Sequence, residues 1–282
     1  MKRTAVFIAL VCAMALAGCA ATRPVADVAA RVQALLPLDA LLLGEQHDAP
    51  DHQRIHREVI ETLAARGALG GVVLEMAMQG NSTASLVNNG DQRVAGREAG
   101  ASEAAVRAAL KWDEQAWPWA TYAPAIMAAV RAGVPVMGAN MPRAKMGAAM
   151  QQPDLDQRLN GPALKAQQQL IRLGHCNLLP ESQISPMTRI QIARDVGMAN
   201  AIIEAHANTS KTVVLLAGSG HVDRTLGVPQ HLPPGLKVKS VLLVAGGESD
   251  AGSKAPDFDV VWAAAPIPAK DYCAGLKAKM PG

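Results

Sequence analysis

The chain has 282 residues, half of them hydrophobic and only 3% aromatic, with a formal net charge of +3. That length suits one large domain, or one domain with an inserted lobe, whose core must be filled mainly by alanine, leucine and valine. So small a charge excludes the basic footprint of a nucleic-acid binder or of a protein held electrostatically on a membrane surface.

From the first residue, Lys2 and Arg3 precede an apolar run from Ala5 to Ala17, which closes on Leu16-Ala17-Gly18-Cys19. A positive start, an apolar core and small residues are an export signal. Leucine, two small residues and cysteine also match a lipobox, in which the cysteine is diacylated and becomes the new N-terminus. The run falls short of the about 20 residues that a bilayer span needs; a buried N-terminal helix is the alternative. The expectation is a signal peptide over residues 1–18 and a lipidated tether with a first helix over 19–37, Cys19 carrying the anchor. More than one acyl chain makes that membrane attachment stable. Ala20 gives no acidic retention signal, so the expected place is the cell envelope, on the outer membrane facing the periplasm.

Apolar runs at 40–43, 71–74, 134–138, 212–217 and 238–245 have strand length without clear alternation, as buried strands of a parallel sheet do. Helical patterns lie between them. Residues 51–66 begin after Pro50 and stop at Gly67, residues 118–132 begin at Pro118 and stop at Gly133, and residues 186–208 form the longest. This alternation predicts an α/β domain over 38–275, a mostly parallel central sheet with helices on both faces. Residues 81–117 read as an inserted helical lobe and residues 143–185 as an irregular excursion. Of four cysteines, Cys12 leaves with the signal and Cys19 takes lipid, which leaves Cys176 and Cys273. In an oxidising compartment they are a candidate disulfide, with two separately buried thiols as the alternative.

Open parallel sheets bind ligands outside the carboxyl ends of their strands. The first strand runs into Gly44-Glu45-Gln46-His47 and the second ends on Glu75. The third ends near Asn140 and Arg143, and the fourth runs into Gly218-Ser219-Gly220-His221. Two ends thus share Gly-x-x-His, and together these ends gather groups that bind metals or move protons. His52 and His56 share a helix face, and the charged residues around them predict a solvated or rim position. Gly218-Ser219-Gly220 lacks the third glycine of a dinucleotide fingerprint and the full serine-hydrolase elbow.

These motifs resemble the ChaN-like haem-binding lipoproteins. So do Trp117-Pro118-Trp119-Ala120-Thr121-Tyr122, Gly138-Ala139-Asn140-Met141-Pro142-Arg143, Arg194-Asp195 with Met198-Ala199, and Leu216 through Val222. The family belongs to a superfamily with Tiki, TraB and erythromycin-esterase-like proteins. The resemblance covers about residues 38 to 275. It implies haem binding in haem and iron uptake, a possible homodimer sharing the pocket, and an outer-membrane haem receptor system as partner. It also implies Tyr122 as the iron ligand, with His47, Glu45, Glu75, His221 and Arg194 lining the pocket. Arg143 and Arg189 are further candidates for holding carboxylates, and Met76, Met78, Met127 and Met141 for covering the ring. The competing reading is a metal-dependent hydrolase in which His47, Glu75 and His221 are catalytic.

Overall fold

The computed structural model describes residues 27–87 and 101–279. The export signal, Cys19 and its tether lie outside these residues, as do residues 88–100 of the expected insertion. Helix α1 (Val28–Leu35) leads into strand β1 (Ala40–Glu45), helix α2 (Pro50–Ala65) and strand β2 (Leu69–Met78). Short helices α3 (Ala84–Val87) and α4 (Glu103–Leu110) precede α5 (Trp119–Arg131) and strand β3 (Val136–Asn140). Helices α6 (Arg143–Met150), α7 (Gly161–Gly174) and α8 (Glu181–Ala207) follow, then strands β4 (Thr212–Gly218), β5 (Val238–Ala245) and β6 (Val260–Ala264), and helix α9 (Tyr272–Lys279).

The strands form one sheet in the order β3-β2-β4-β1-β5-β6, and every pairing is parallel. Side chains alternate between its faces. Leu41, Leu43, Val72, Leu74, Val214 and Leu216 pack with Ile55, Val59, Ile126 and Val130 of α2 and α5. Ala40, Leu42, Val73, Val213 and Leu215 pack against Met198, Ala199 and Ile202 of α8. Both faces being covered, the strands are apolar in nearly every position, which is why the sequence shows no clear alternation there. The expected α/β class and two-sided sheet are what the chain adopts. Among the described residues, no helix is long and apolar enough to cross a membrane.

Three differences from the sequence reading have physical reasons. The excursion at 143–185 is not irregular, since it contains α6, α7 and the start of α8. In α7 the Asn160 side chain accepts from Ala163 N at 3.0 Å, and Ala163, Gln167 and Ile171 are buried at helical spacing. The polar Gln167 in that stripe hides the pattern. Helix α8 begins five residues earlier than expected and accommodates Pro186 within its second turn. Strand β6 was not expected, because its crossover from β5 is a 3-10 segment (Glu248–Asp257) rather than an α-helix.

Cys176 and Cys273 form a disulfide, with Cα atoms 5.7 Å apart and 97 residues between them in sequence. It ties the corner between α7 and α8 to the start of α9.

Candidate functional site

The two Gly-x-x-His segments meet because β1 and β4 are neighbours, in a register that pairs Glu45 with Gly218. Their glycines make the approach possible. A Cβ on Gly44 would lie 2.3 Å from Val222 Cγ2 and 3.0 Å from the Ser219 backbone, and one on Gly218 would lie 3.0 Å from His47 Nε2. Glycine is needed here for room, not for an unusual backbone angle.

Glu45 ends β1 fully enclosed, at 1% exposure, and is surrounded by partners. His47 Nδ1 lies 2.6 Å from its Oε1, the Tyr122 hydroxyl donates to the same oxygen at 2.8 Å, and Gln53 Nε2 donates to Oε2 at 2.8 Å. His56 Nδ1 stands 3.5 Å from Oε2. Burial pushes the Glu45 carboxyl up, but the His47 hydrogen bond and the neighbouring imidazoles outweigh it and hold it below its ordinary value. Burial likewise pulls His47 down, and the Glu45 hydrogen bond with the charges of Glu75 and Glu45 raises it overall. The His47 ring is 39% exposed, with Nε2 directed toward Glu75 Oε2 at 3.8 Å.

A second cluster sits beside it. Glu75 Oε2 accepts from Gly218 N at 2.7 Å, and Glu75 Oε1 lies 3.4 Å from His221 Nε2. The other ring nitrogen, His221 Nδ1, lies 2.5 Å from Asp195 Oδ1, with Gln191 Nε2 at 3.1 Å. Burial pulls His221 down, but two carboxylates reverse this and hold it cationic to about pH 10. Burial pushes Glu75 up, and His221 brings it to about 2. Burial also raises Asp195, to about 6 against the pull of His221. Both ring nitrogens of His221 are therefore occupied, which suits a fixed positive charge rather than a proton acceptor.

The eight aromatic residues, four Trp, two Tyr and two Phe, are not spread evenly. Trp112, Trp117, Trp119 and Tyr122 pack together, and the His47 ring meets Trp117 edge-on at 4.9 Å. A chain poor in aromatics concentrates half of them beneath this histidine.

Two cavities of about 420 Å³ each adjoin here and share His47 and Asp48. One is lined by Glu45, Glu75, Gln191, His221 and Tyr272, the other by Gln53, Arg54, Arg57, Ala120 and Pro124. A larger cleft of about 790 Å³ at the β3 edge of the sheet holds none of the strand-end groups.

The structure thus brings Glu45, Glu75, His47 and His221 together. Tyr122 is close to them but only 2% exposed. Its hydroxyl is committed to Glu45, and burial with the Glu45 charge raises the phenol far above its ordinary range. Arg194 lies on α8 next to Asp195, with a buried and unpartnered Nε, and lines neither cavity. Arg189 is forked onto Asp156 at 2.7 to 3.2 Å, and Arg143 is exposed at the start of α6. His52 and His56, expected on a solvated or rim face, are both fully buried. His52 Nδ1 accepts from Gln46 N at 2.9 Å and so fixes the loop carrying His47. Burial holds His52 down at about 4, and thus neutral. Met76 and Met127 are packed in the core. Among the described residues, no group of three or more His, Cys, Asp or Glu side chains is arranged to hold a metal ion.

Sequence reasoning missed Gln53, Gln191 and the pairing of Asp195 with His221. Tyr272, 52% exposed, also lines the site cavity. Tyr272 adjoins a cysteine, and that neighbourhood reads as structural; no local pattern shows that the C-terminal segment returns to the β1–α2 loop.

A family model described as haem-binding uptake, Tiki superfamily, ChaN, matches residues 31–232. No curated protein matches the chain in sequence. Among solved structures, one describing cofacial haem binding to ChaN of Campylobacter jejuni is 24% identical, with a TM-score of 0.58, over 77% of this chain and 86% of that one. Another, of the type III effector HopBA1, is 17% identical with a TM-score of 0.49, over 85% of this chain and 94% of that one.

Two outcomes are expected from this geometry. Gly44→Ala forces the two turns apart, and thermal melts should show a destabilised protein, whereas Gly220→Ala, with nothing within 4 Å of the added carbon, should melt close to wild type. The stability that His221 contributes is complete below about pH 6.5, its ordinary value, and is lost as pH rises through about 10. Urea unfolding of wild type and His221→Gln should therefore show a gap that shrinks between these limits, and a constant gap would refute the charged-imidazole account.

Proposed function

This chain belongs to the ChaN haem-binding uptake family of the Tiki superfamily, and on that premise we propose that it holds haem across the two adjoining cavities beside His47. The observation that carries the placement is the carboxylate-fixed imidazole at the junction of those cavities. With Nδ1 held on Glu45 at 2.6 Å, His47 presents Nε2 on the cavity side, 3.8 Å from Glu75 Oε2. A carboxylate on one ring nitrogen is the usual partner of a metal-binding histidine, and Nε2 would give up its proton on binding. Haem, when bound, would supply a Lewis-acidic iron that protein donors can hold. The donors exposed to it are His47 Nε2 and the Tyr272 hydroxyl. Tyr272 donates to Asp48 at 3.0 Å, so an acceptor already stands where a phenol would release its proton on binding iron.

Tyr122 then acts through Glu45, orienting the carboxylate that orients His47. Arg57 in the second cavity offers a guanidinium group to a propionate; its Nε makes no hydrogen bond, Glu61 Oε1 standing 3.8 Å away, whereas Arg54 is already bridged to Asp51 and Glu58. Glu75 and the His221 cation close the other wall.

This reading extends to the cell. Diacylation at Cys19 would anchor the protein in the envelope, at the outer membrane facing the periplasm, and the Cys176–Cys273 disulfide supports an oxidising compartment. There the protein takes part in haem and iron uptake beside an outer-membrane haem receptor, and a second copy covering the two cavities would complete a homodimer. The hydrolytic alternative draws no support from His221, whose two nitrogens are both engaged by carboxylates.

Titration of ferric haem into the protein freed of residues 1–19 should give a saturable Soret band. His47→Ala should raise the dissociation constant by about tenfold or more, the scale of losses at such ligand pairs. A wild-type protein without a saturable band would overturn the proposal.

A further inference from the structure

After β6 the chain runs through residues 265–271, which have no regular secondary structure and are mostly exposed. This strap is nevertheless stitched to the β1–α2 loop that carries His47 and to the first turn of α2. Ala265 N donates to Asp51 Oδ2 at 2.8 Å, Lys270 Nζ reaches Asp48 Oδ2 at 2.9 Å, and the Tyr272 hydroxyl accepts from Gln46 Nε2 at 2.6 Å. At its far end Cys273 is bonded to Cys176.

The attachments differ in kind. The Lys270–Asp48 pair is exposed, with side chains 58% and 37% accessible, and such pairs hold weakly against water and salt. The disulfide is covalent and is fastened to a corner that the helices keep rigid. Cys176 N donates to Leu173 O at 2.9 Å and Asn177 N to Arg172 O at 2.8 Å, with both residues in the left-handed conformation, at φ 58° and 57°. By holding the strap's end, the bond keeps Tyr272 at a high local concentration over the cavity. Both cysteines are partly exposed, so a soluble thiol can reach the bond.

We propose that the Cys176–Cys273 disulfide is a redox latch on the ligand pocket, with Tyr272 as the wall that it positions. The proposal rests on the haem reading of that pocket. When the latch opens, a dithiol reductant gives two electrons and two protons. The S–S bond breaks to two thiols and the reductant closes its own disulfide. The strap is then held only by its exposed contacts, Tyr272 leaves the cavity, and the bound porphyrin is released in reducing surroundings.

The test uses gallium protoporphyrin, which is inert to the reductant, and follows its fluorescence on the oxidised protein, on the protein reduced with a phosphine, and after reoxidation. Reduction should raise the dissociation constant about tenfold or more and reoxidation should restore it, with far-UV circular dichroism unchanged. Tyr272→Phe should weaken binding in the oxidised protein and add little in the reduced one. Equal affinity in both redox states would overturn the latch. A second arm needs no ligand: trypsin should cut after Lys270 much faster in the reduced protein and in the Cys176→Ser/Cys273→Ser variant. Equal cutting would also overturn the latch. If the oxidised wild type binds no porphyrin, the haem reading fails and the cutting rates alone decide the latch.

Discussion

Burying a carboxylate without partners costs far more than one hydrogen bond returns, so Glu45 dictates what surrounds it. It sits at the end of a central strand, and its neighbours are supplied from three directions: His47 from its own loop, Gln53 and His56 from α2, and Tyr122 from α5. Each neighbour is restrained in turn. Tyr122 is wedged among tryptophans, and His52 pins the backbone of Gln46. The consequence is a single free direction for His47, with one ring nitrogen committed and the other facing the cavities. A carboxylate that must be satisfied thereby becomes a device for aiming an imidazole.

The sheet makes this arrangement local. Because β1 and β4 are adjacent, although β2 and β3 lie between them in sequence, two glycine-led turns are pressed together and Glu75 of β2 reaches the Gly218 amide from the next strand over. The His221 cluster shares that edge but is built for a different purpose. Its charge is locked between Glu75 and Asp195, so it shapes the field of the cavity while His47 and Tyr272 face the opening. In a parallel sheet, strand ends of one polarity all lie on one side, and the chemistry follows from that alone.

Much of this was legible in the sequence, and the reasons for what was not are specific. The strand ends carried their polar residues openly, because apolar runs that stop at Glu45, Glu75 and Gly218 mark buried parallel strands. The burial of His52 and His56 was hidden by Asp51, Arg54, Arg57 and Glu58, which give α2 the look of a solvated helix. His56 faces the Glu45 carboxylate and His52 the Gln46 backbone amide, both at the end of β1, which no window on α2 contains. Tyr122 was legible as a pocket-side residue, but its direction was not. Whether a phenol faces a cavity or a buried carboxylate depends on the packing of α5 over β1, and spacing alone does not carry that. Tyr272 is the reverse case: it joins the site only because a disulfide and a few exposed contacts return the C-terminus to the β1–α2 loop.

The central claim is that Tyr122 aims His47 through Glu45, and that ligand is met by the exposed groups instead. It is tested most directly by resonance Raman and absorption spectra of the ferric haem complexes of Tyr122→Phe and Tyr272→Phe beside wild type. The account predicts that Tyr122→Phe keeps the wild-type iron-ligand signature with affinity weakened about tenfold, the low end of what loss of one hydrogen bond to a charged group costs, while any phenolate signature disappears in Tyr272→Phe. A phenolate band that vanishes in Tyr122→Phe and survives in Tyr272→Phe would contradict it.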